Sequence, residues 1–264
     1  MLIIAERINA SRKTIAQAIS SADRVFIQGE AKAQTEAGAH YIDVNAGTFV
    51  GEEIEKLRWV VEAVQEATDL PLSIDSPDPA VVRAILPLVK RVPIINSITL
   101  EPSRMEGILP LVLANKAKVI ALCQTEQSLA ETADHKVKLA GILVGKLTSA
   151  GVPLDDIYID PLVYPLSTNP QSAHATLEAI GRIMRDYPGV HTVCGLTNVS
   201  YGLPARKLIN RSFLAAAVVM GLDAAIIDPT DKQLFAMLKA VELVTGKDDF
   251  CMEYINAFRE GRVE

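Results

Sequence analysis

Eight short apolar or β-branched runs recur along this chain, with amphipathic stretches between them. They are LIIAE (2–6), YIDVN (41–45), LPLSID (70–75), PIINS (93–97), KVIALC (118–123), IYID (157–160), TVCGLTN (192–198) and AAIID (224–228). The intervening segments repeat at helical spacing; in EEIEKLRWVVEAVQEAT, Ile54, Leu57, Val61 and Val64 fall on one face. Gly38, Gly151 and Gly221 close three of these segments, as suits a left-handed helix C-terminus. Asp78 followed by Pro79 marks one helix start, and Thr230-Asp231-Lys232-Gln233 gives the last helix a capping-box opening. Eight strand–helix units in 264 residues take about 33 residues each, close to the proportions of a (β/α)₈ barrel of about 250 residues. A doubly wound sheet rarely needs so many regular units. No linker, low-complexity run or composition shift divides the chain, so residues 1–264 are expected to form a single α/β domain, a TIM barrel.

Charge and cysteine usage exclude several partner classes. The net charge is −6 with no basic cluster, which argues against nucleic acid or an acidic membrane surface. Cys123, Cys194 and Cys251 are scattered and form no CxxC pair, which removes a zinc knuckle and suits a reducing cytosol. The opening MLIIAERINASRK carries Glu6 and Arg7 where a signal peptide needs an apolar core. The most apolar stretch, FLAAAVVMGLDAAII (213–227), is interrupted by Asp223 and is short of the roughly 20 residues a spanning helix needs. A cytoplasmic protein is expected.

In a barrel of this kind the residues just after each strand form the mouth where chemistry occurs. Here those positions hold Glu6, Arg7 and Asn9; Asp43 and Asn45; Asp75; Asn96; Gln124; Asp160; Asn198; and Asp228. In PLSIDSPDP (71–79), Asp78 already serves as the helix cap, so Asp75 has no capping duty and a carboxylate that is costly to bury unpaired. No lysine follows a strand, which disfavours Schiff-base chemistry, and no Ser/His/Asp or Cys/His set suggests a protein nucleophile. The four histidines, His40, His135, His174 and His191, lie before strands or within helices, so no metal site is expected. No glycine-rich phosphate cradle follows the seventh or eighth strand. A mouth of carboxylates and amides suits a planar heterocycle that offers adjacent N–H donors and a carbonyl acceptor. The 2-amino-4-oxopyrimidine end of a pterin is such a ring, and guanine-like rings are equally compatible.

The segments ERIN (6–9), YIDVNAG (41–47), SIDS (73–76), INS (95–97), DIYIDPL (156–162), GLTNVS (195–200), RKLINRSFL (206–214) and GLDAAIID (221–228) resemble the methyltetrahydrofolate:corrinoid protein methyltransferases. Those are pterin-binding TIM barrels related to the folate module of cobalamin-dependent methionine synthase. The resemblance spans essentially the whole chain in the same order. It implies that Asp75, Asn96 and Asp160 contact the pterin ring, that Asn198 lies near N5 and is the catalytic residue, and that Arg206 contacts tetrahydrofolate further along the ligand. It also implies that tetrahydrofolate or 5-methyltetrahydrofolate is the substrate, with a corrinoid (cobalamin) supplied by a partner protein. Methyl transfer in either direction is compatible with it, and relatives of this kind are homodimers. LAAAVVM or FCMEYINAF is the candidate seam.

Three departures surround the mouth. Ala5 and Ala10 stand where relatives more often carry glycine, which requires negative φ at both. ALCQTEQS (121–128) replaces the family's usual stretch after strand five, and Tyr201 takes the place of a polar amide. Two rival readings remain. Dihydropteroate synthase, another pterin barrel, uses a lysine after strand seven and Arg-x-His after strand eight, where this chain reads GLTNVS and IIDPT. A non-catalytic folate-binding protein would present the same ligand contacts.

Overall fold

The computed structural model describes residues 1–126 and 130–263, so Gln127 and Ser128 of the ALCQTEQS stretch lie outside the described residues. Its strands are β1 (Leu2–Asn9), β2 (Tyr41–Asn45), β3 (Leu72–Asp75), β4 (Ile94–Ile98), β5 (Lys118–Leu122), β6 (Ile157–Asp160), β7 (His191–Thr192) and β8 (Ala224–Ile227). They form one sheet in the order β7-β6-β5-β4-β3-β2-β1-β8, and neighbours are parallel throughout. Just past β7, the Ile226 N–H donates to the Cys194 carbonyl at 3.0 Å and Gly195 bridges Ile226, which joins β7 to β8 and completes the cylinder. This is the (β/α)₈ barrel expected from the strand–helix rhythm.

Side-chain alternation along the strands sorts the residues into two layers. Ile42, Val44, Leu72 and Ile74 point outward onto the helices, as do Ile95, Val119, Ala121, Ile157 and Ile159 on the far side. Ile4, Tyr41, Ile94, Ile120, Tyr158, Val193 and Ala224 pack together inside the cylinder as an apolar floor. Two residues further along the same strands, the inward positions become Glu6, Asp43, Asn96, Leu122, Asp160 and Ile226. β3 runs Ser73 then Asp75 on its inner face. The interior therefore changes from apolar to polar between its N-terminal and C-terminal ends.

Local signals hold at several points. Asp78 caps the helix Pro79–Ile85 by accepting the Ala80 N–H at 2.8 Å. Gly38, Gly151 and Gly221 have φ of +92°, +98° and +112°. Ala5 and Ala10 are buried and neither has positive φ, so alanine fits there without strain. Leu57, Val61 and Val64 are buried as expected, but Ile54 at the helix start is 40% exposed.

Three expectations are corrected. The seventh strand does not run over 192–198; it ends at Thr192, and Leu196–Ser200 winds into a 3₁₀ turn. The β-branched run looks extended in isolation, but the guanidinium of Arg206 takes the Thr197 carbonyl at 2.8 Å and the Ser200 hydroxyl at 3.1 Å, which holds the turn closed. The helix Lys232–Val244 is capped by Asp231, whose carboxylate accepts the Leu234 N–H, while Thr230 donates its hydroxyl to Asp228 at 2.6 Å. Nor is that helix the last, since Met252–Arg259 follows. The apolar stretch 213–227 divides between the helix Arg206–Val219 and β8, and among the described residues no helix is long and apolar enough to cross a membrane.

Candidate functional site

The C-terminal rim of the barrel collects the strand-end residues. Asp75 and Asn96 are register partners on β3 and β4, and both line a cleft of about 300 Å³ with Ser76, Ser97, Glu101, Arg104 and Gln124. That volume is near the lower bound for small-molecule sites, roughly 300–1,000 Å³. Asp75 is not without a partner: its Oδ2 accepts the Asn45 side-chain amide at 3.0 Å, and its carbonyl accepts the same nitrogen at 3.1 Å. Beneath it, buried Asp43 accepts the Ser73 hydroxyl at 2.6 Å and the Asn96 amide at 3.3 Å. Asn96 thus spends its donor downward on Asp43, and its carbonyl oxygen remains for a ligand donor. Arg104 reaches over from the helix Pro102–Asn115 and donates to the Ser97 and Pro77 carbonyls, which places a positive charge beside Asp75.

Asp160 ends β6, pairs in register with Leu122 and is buried; its Oδ1 accepts the Leu162 N–H at 2.7 Å. It faces the barrel interior but does not line the cleft formed by Asp75 and Asn96. Asn198 and Arg206 lie across the mouth, both exposed. Arg206 opens the helix Arg206–Val219 and is tied down by the 3₁₀ turn that presents Asn198. Tyr201 is 66% exposed at the same lip, with the Arg206 guanidinium 5.9 Å from its ring centre. Asp75 and Asn96 therefore share one pocket, Asp160 stands at the end of a strand two places further round, and Asn198 with Arg206 forms a separate lip.

Burial perturbs the carboxyls of the rim. Burial lifts Asp75 and Asp160 each to about 6. Burial, reinforced by Asp75, also raises Asp43 well above the usual carboxylate range. Glu6 is pushed up to about 7, first by burial and then by the charge of Asp228. Its Oε2 accepts the Thr197 hydroxyl at 3.3 Å, next to Asn198 in the chain. Perturbed carboxyls grouped in a cleft are a recurrent property of active sites. Glu6 stood among the strand-end residues of the sequence with no role assigned to it; only the closed barrel brings β1 and the Leu196–Ser200 turn together.

Other side chains are structural. At the opposite end of the barrel His191 donates to the carboxylates of Asp223 and Asp155, His40 accepts the Ile3 N–H, and among the described residues no cluster of His, Cys, Asp and Glu is arranged to hold a metal. Cys123 and Cys194 are buried free thiols, and Cys251 is an exposed one. A residue that sequence reasoning missed altogether is Lys136, fully buried beneath the Asp160 loop. Its position in the amphipathic stretch HKVKLAGILVG gave no sign that this lysine, and not Lys138, faces inward.

Comparison with known proteins bears on the same rim. The methylcorrinoid:tetrahydrofolate methyltransferase of Eubacterium limosum is 37% identical over 265 residues, covering 100% of this chain and 98% of that protein. The methionine synthase of Mycobacterium tuberculosis is 32% identical over 240 residues; the match takes in 86% of this chain but only 20% of that much longer protein. Among solved structures, a Xanthomonas albilineans dihydropteroate synthase with 4-aminobenzoic acid superposes with a TM-score of 0.68, over 94% of this chain and 93% of that one. At 16% identity it speaks for the fold alone. A family model described as pterin binding enzyme matches residues 5–228, from the residue before Glu6 to Asp228 at the end of the eighth strand, and the chain belongs to that family.

Proposed function

We propose that this protein is a methyltransferase that moves a methyl group from a methylated corrinoid, carried on a partner protein, to N5 of tetrahydrofolate. The observation that carries the reading is the inward row of acceptors at one rim, Asp75, Asn96 and Asp160, above an apolar floor. The direction follows the name of the Eubacterium limosum relative, a methylcorrinoid:tetrahydrofolate methyltransferase that matches this chain over its whole length.

In this reading the carboxylates of Asp75 and Asp160 accept the pyrimidine N–H groups, and the Asn96 carbonyl oxygen takes a further ring donor. Arg206 keeps the Leu196–Ser200 turn closed with two of its five N–H donors and presents the others to the folate beyond the ring. Asn198 orients N5, since an amide can accept from the free amine or donate to it. As the methyl group arrives, the N5 lone pair forms the new C–N bond, the Co–C bonding pair stays on the corrinoid, and N5 must shed a proton. Glu6, with its carboxyl poised at about 7 and linked to the turn through Thr197, is the proton acceptor in this scheme. Run backwards, the same group would supply the proton that makes N5 a competent leaving group.

The reading extends to a homodimer in the cytoplasm. It draws on apolar surface at Val219, Met220, Phe250, Met252 and Phe258, on or beside the two segments named from the sequence, and on three unpaired thiols. Light scattering on the purified protein gives the dimer mass if this is right and the monomer mass if it is wrong.

The central test mixes the purified protein with tetrahydrofolate and methylcobalamin. Loss of the methyl–cobalt absorbance together with formation of 5-methyltetrahydrofolate, only when both substrates are present, is the expected result. Tight folate binding with an unchanged spectrum would instead favour the non-catalytic reading. Condensation of a pterin pyrophosphate with 4-aminobenzoate would favour the dihydropteroate synthase reading.

A further inference from the structure

Among the described residues Lys136 is the one lysine with no solvent exposure. It sits in the first turn of the helix Ala133–Ser149, and its Nζ donates to the carbonyls of Pro161 and Leu162 at 2.7 and 2.5 Å. The same ammonium lies 4.8 Å from the ring centre of Tyr164. Both carbonyls belong to the turn that follows Asp160. Leu162 adopts a left-handed φ of +58°, which few non-glycine residues do, and from there its N–H folds back onto the Asp160 carboxylate at 2.7 Å.

A buried ammonium is expensive unless compensated, and two backbone carbonyls need only a neutral donor. The two N–H donors of a glutamine amide match them in number without the cost of a charge. What a lysine adds is a countercharge, and of the two carboxylates that act on it Asp160 acts the more strongly. The other groups around it are the thiols of Cys123 after β5 and Cys194 after β7, and Glu131 ahead of its own helix. Burial draws Lys136 down to about 8 and lifts Asp160 to about 6, and each group holds the other toward its charged form.

We propose that Lys136 is a positioning residue for the pterin site: it fixes the Pro161–Leu162 turn and balances the charge of Asp160, so that this carboxylate meets its ligand ionised and correctly aimed. The inference rests on the reading of Asp160 as a pterin contact. Lys136 does not touch the ligand.

The test measures 5-methyltetrahydrofolate affinity by calorimetry from about pH 6 to about pH 9 in wild type, K136R and K136M, with melting curves for each. Wild-type affinity should decline toward the alkaline end as Lys136 loses its proton. K136R, charged throughout, should remove that decline, and K136M should bind at least about tenfold more weakly at neutral pH. A wild-type affinity that stays flat to the alkaline limit, or K136M binding equal to wild type, overturns the proposal. The wild-type profile needs no variant to fold. A second arm uses no ligand: a double-mutant cycle of K136M and D160N, read by thermal unfolding, should be non-additive, and additivity overturns the coupling. Absence of any wild-type folate binding, with the cycle non-additive, would instead sink the functional reading and leave the Lys136–Asp160 coupling standing.

Discussion

At the N-terminal end of the barrel, His191 sits between Asp223 at 2.6 Å and Asp155 at 3.1 Å and stacks on Tyr158 with ring centres 4.7 Å apart. Lys118 meets Asp156 there at 3.1 Å, and the amino terminus meets Glu242 at 2.5 Å. At the C-terminal end, Glu6, Asp43, Asp75 and Asp160 are held by neutral donors: the Thr197 hydroxyl, the Ser73 hydroxyl, the Asn45 amide and the Leu162 N–H. Cations reach these four carboxyls only through space, Arg12 and Arg206 on Glu6, Arg104 on Asp75 and Lys136 on Asp160, although Asp228 at the same rim does pair with Arg7 at 3.0 Å. The N-terminal end pairs its charges, and the C-terminal end keeps four carboxyls out of ion pairs, with raised proton affinity. Both are made from the same strands, and on the proposed function the difference marks where stability is given up for binding.

The largest expected break in this contrast comes from Asp75→Asn. It should weaken tetrahydrofolate binding by about 100-fold or more, since a charge-assisted acceptor is lost. The same change should stabilise the ligand-free protein at pH 8 by about 1–2 kcal/mol, because an ionised group no longer has to be half-buried. Calorimetry and thermal melts check the two halves, and unchanged affinity would remove Asp75 from the site. Asn198→Ala comes next, with turnover down about 10- to 100-fold and KM changed by less than about threefold. Equal losses in kcat and affinity would argue against a transition-state role for its amide.

A pH series sharpens the comparison with no mutation. The rim carboxyls bind protons more tightly folded than unfolded, with values near 6 for Asp75 and Asp160 and near 7 for Glu6. Their contribution is therefore most favourable below their unfolded values and is lost as pH rises through the folded ones. The ligand-free protein should melt several degrees higher at about pH 5.5 than at about pH 8, and Asp75→Asn should shrink that gap. An equal gap in the variant would place the titrating groups elsewhere. The smallest effect belongs to the paired end. His191 is raised by its bond to Asp223, so its contribution is full below the unfolded histidine value and fades as pH rises through the folded one. His191→Gln should cost about 1 kcal/mol or less at pH 6, nearly nothing at pH 9, and leave turnover unchanged. A loss of turnover would mean that the two ends are coupled.

The alternation of runs was enough to read the barrel, because side-chain direction repeats every two residues in a strand and about every 3.6 in a helix. Strand ends could be located for the same reason, and Asp75, Asn96 and Asp160 do occupy the ends of β3, β4 and β6 or the positions just inside them. The failures came where a distant residue intervened. The Leu196–Ser200 turn looked like strand because Arg206, which closes it, contributes nothing to local periodicity.

The amino-acid sequence by itself determined the eightfold alternation, the cap at Asp78 and the row of acceptors at one rim, all properties of residues near one another in the chain. The tertiary structure alone decided that Glu6 meets Thr197 across 191 positions, that Asn45 holds Asp75 and that Lys136 lies under Asp160. Proton affinity and charge pairing depend on burial and on which groups become neighbours, and neither exists until the sheet closes on itself.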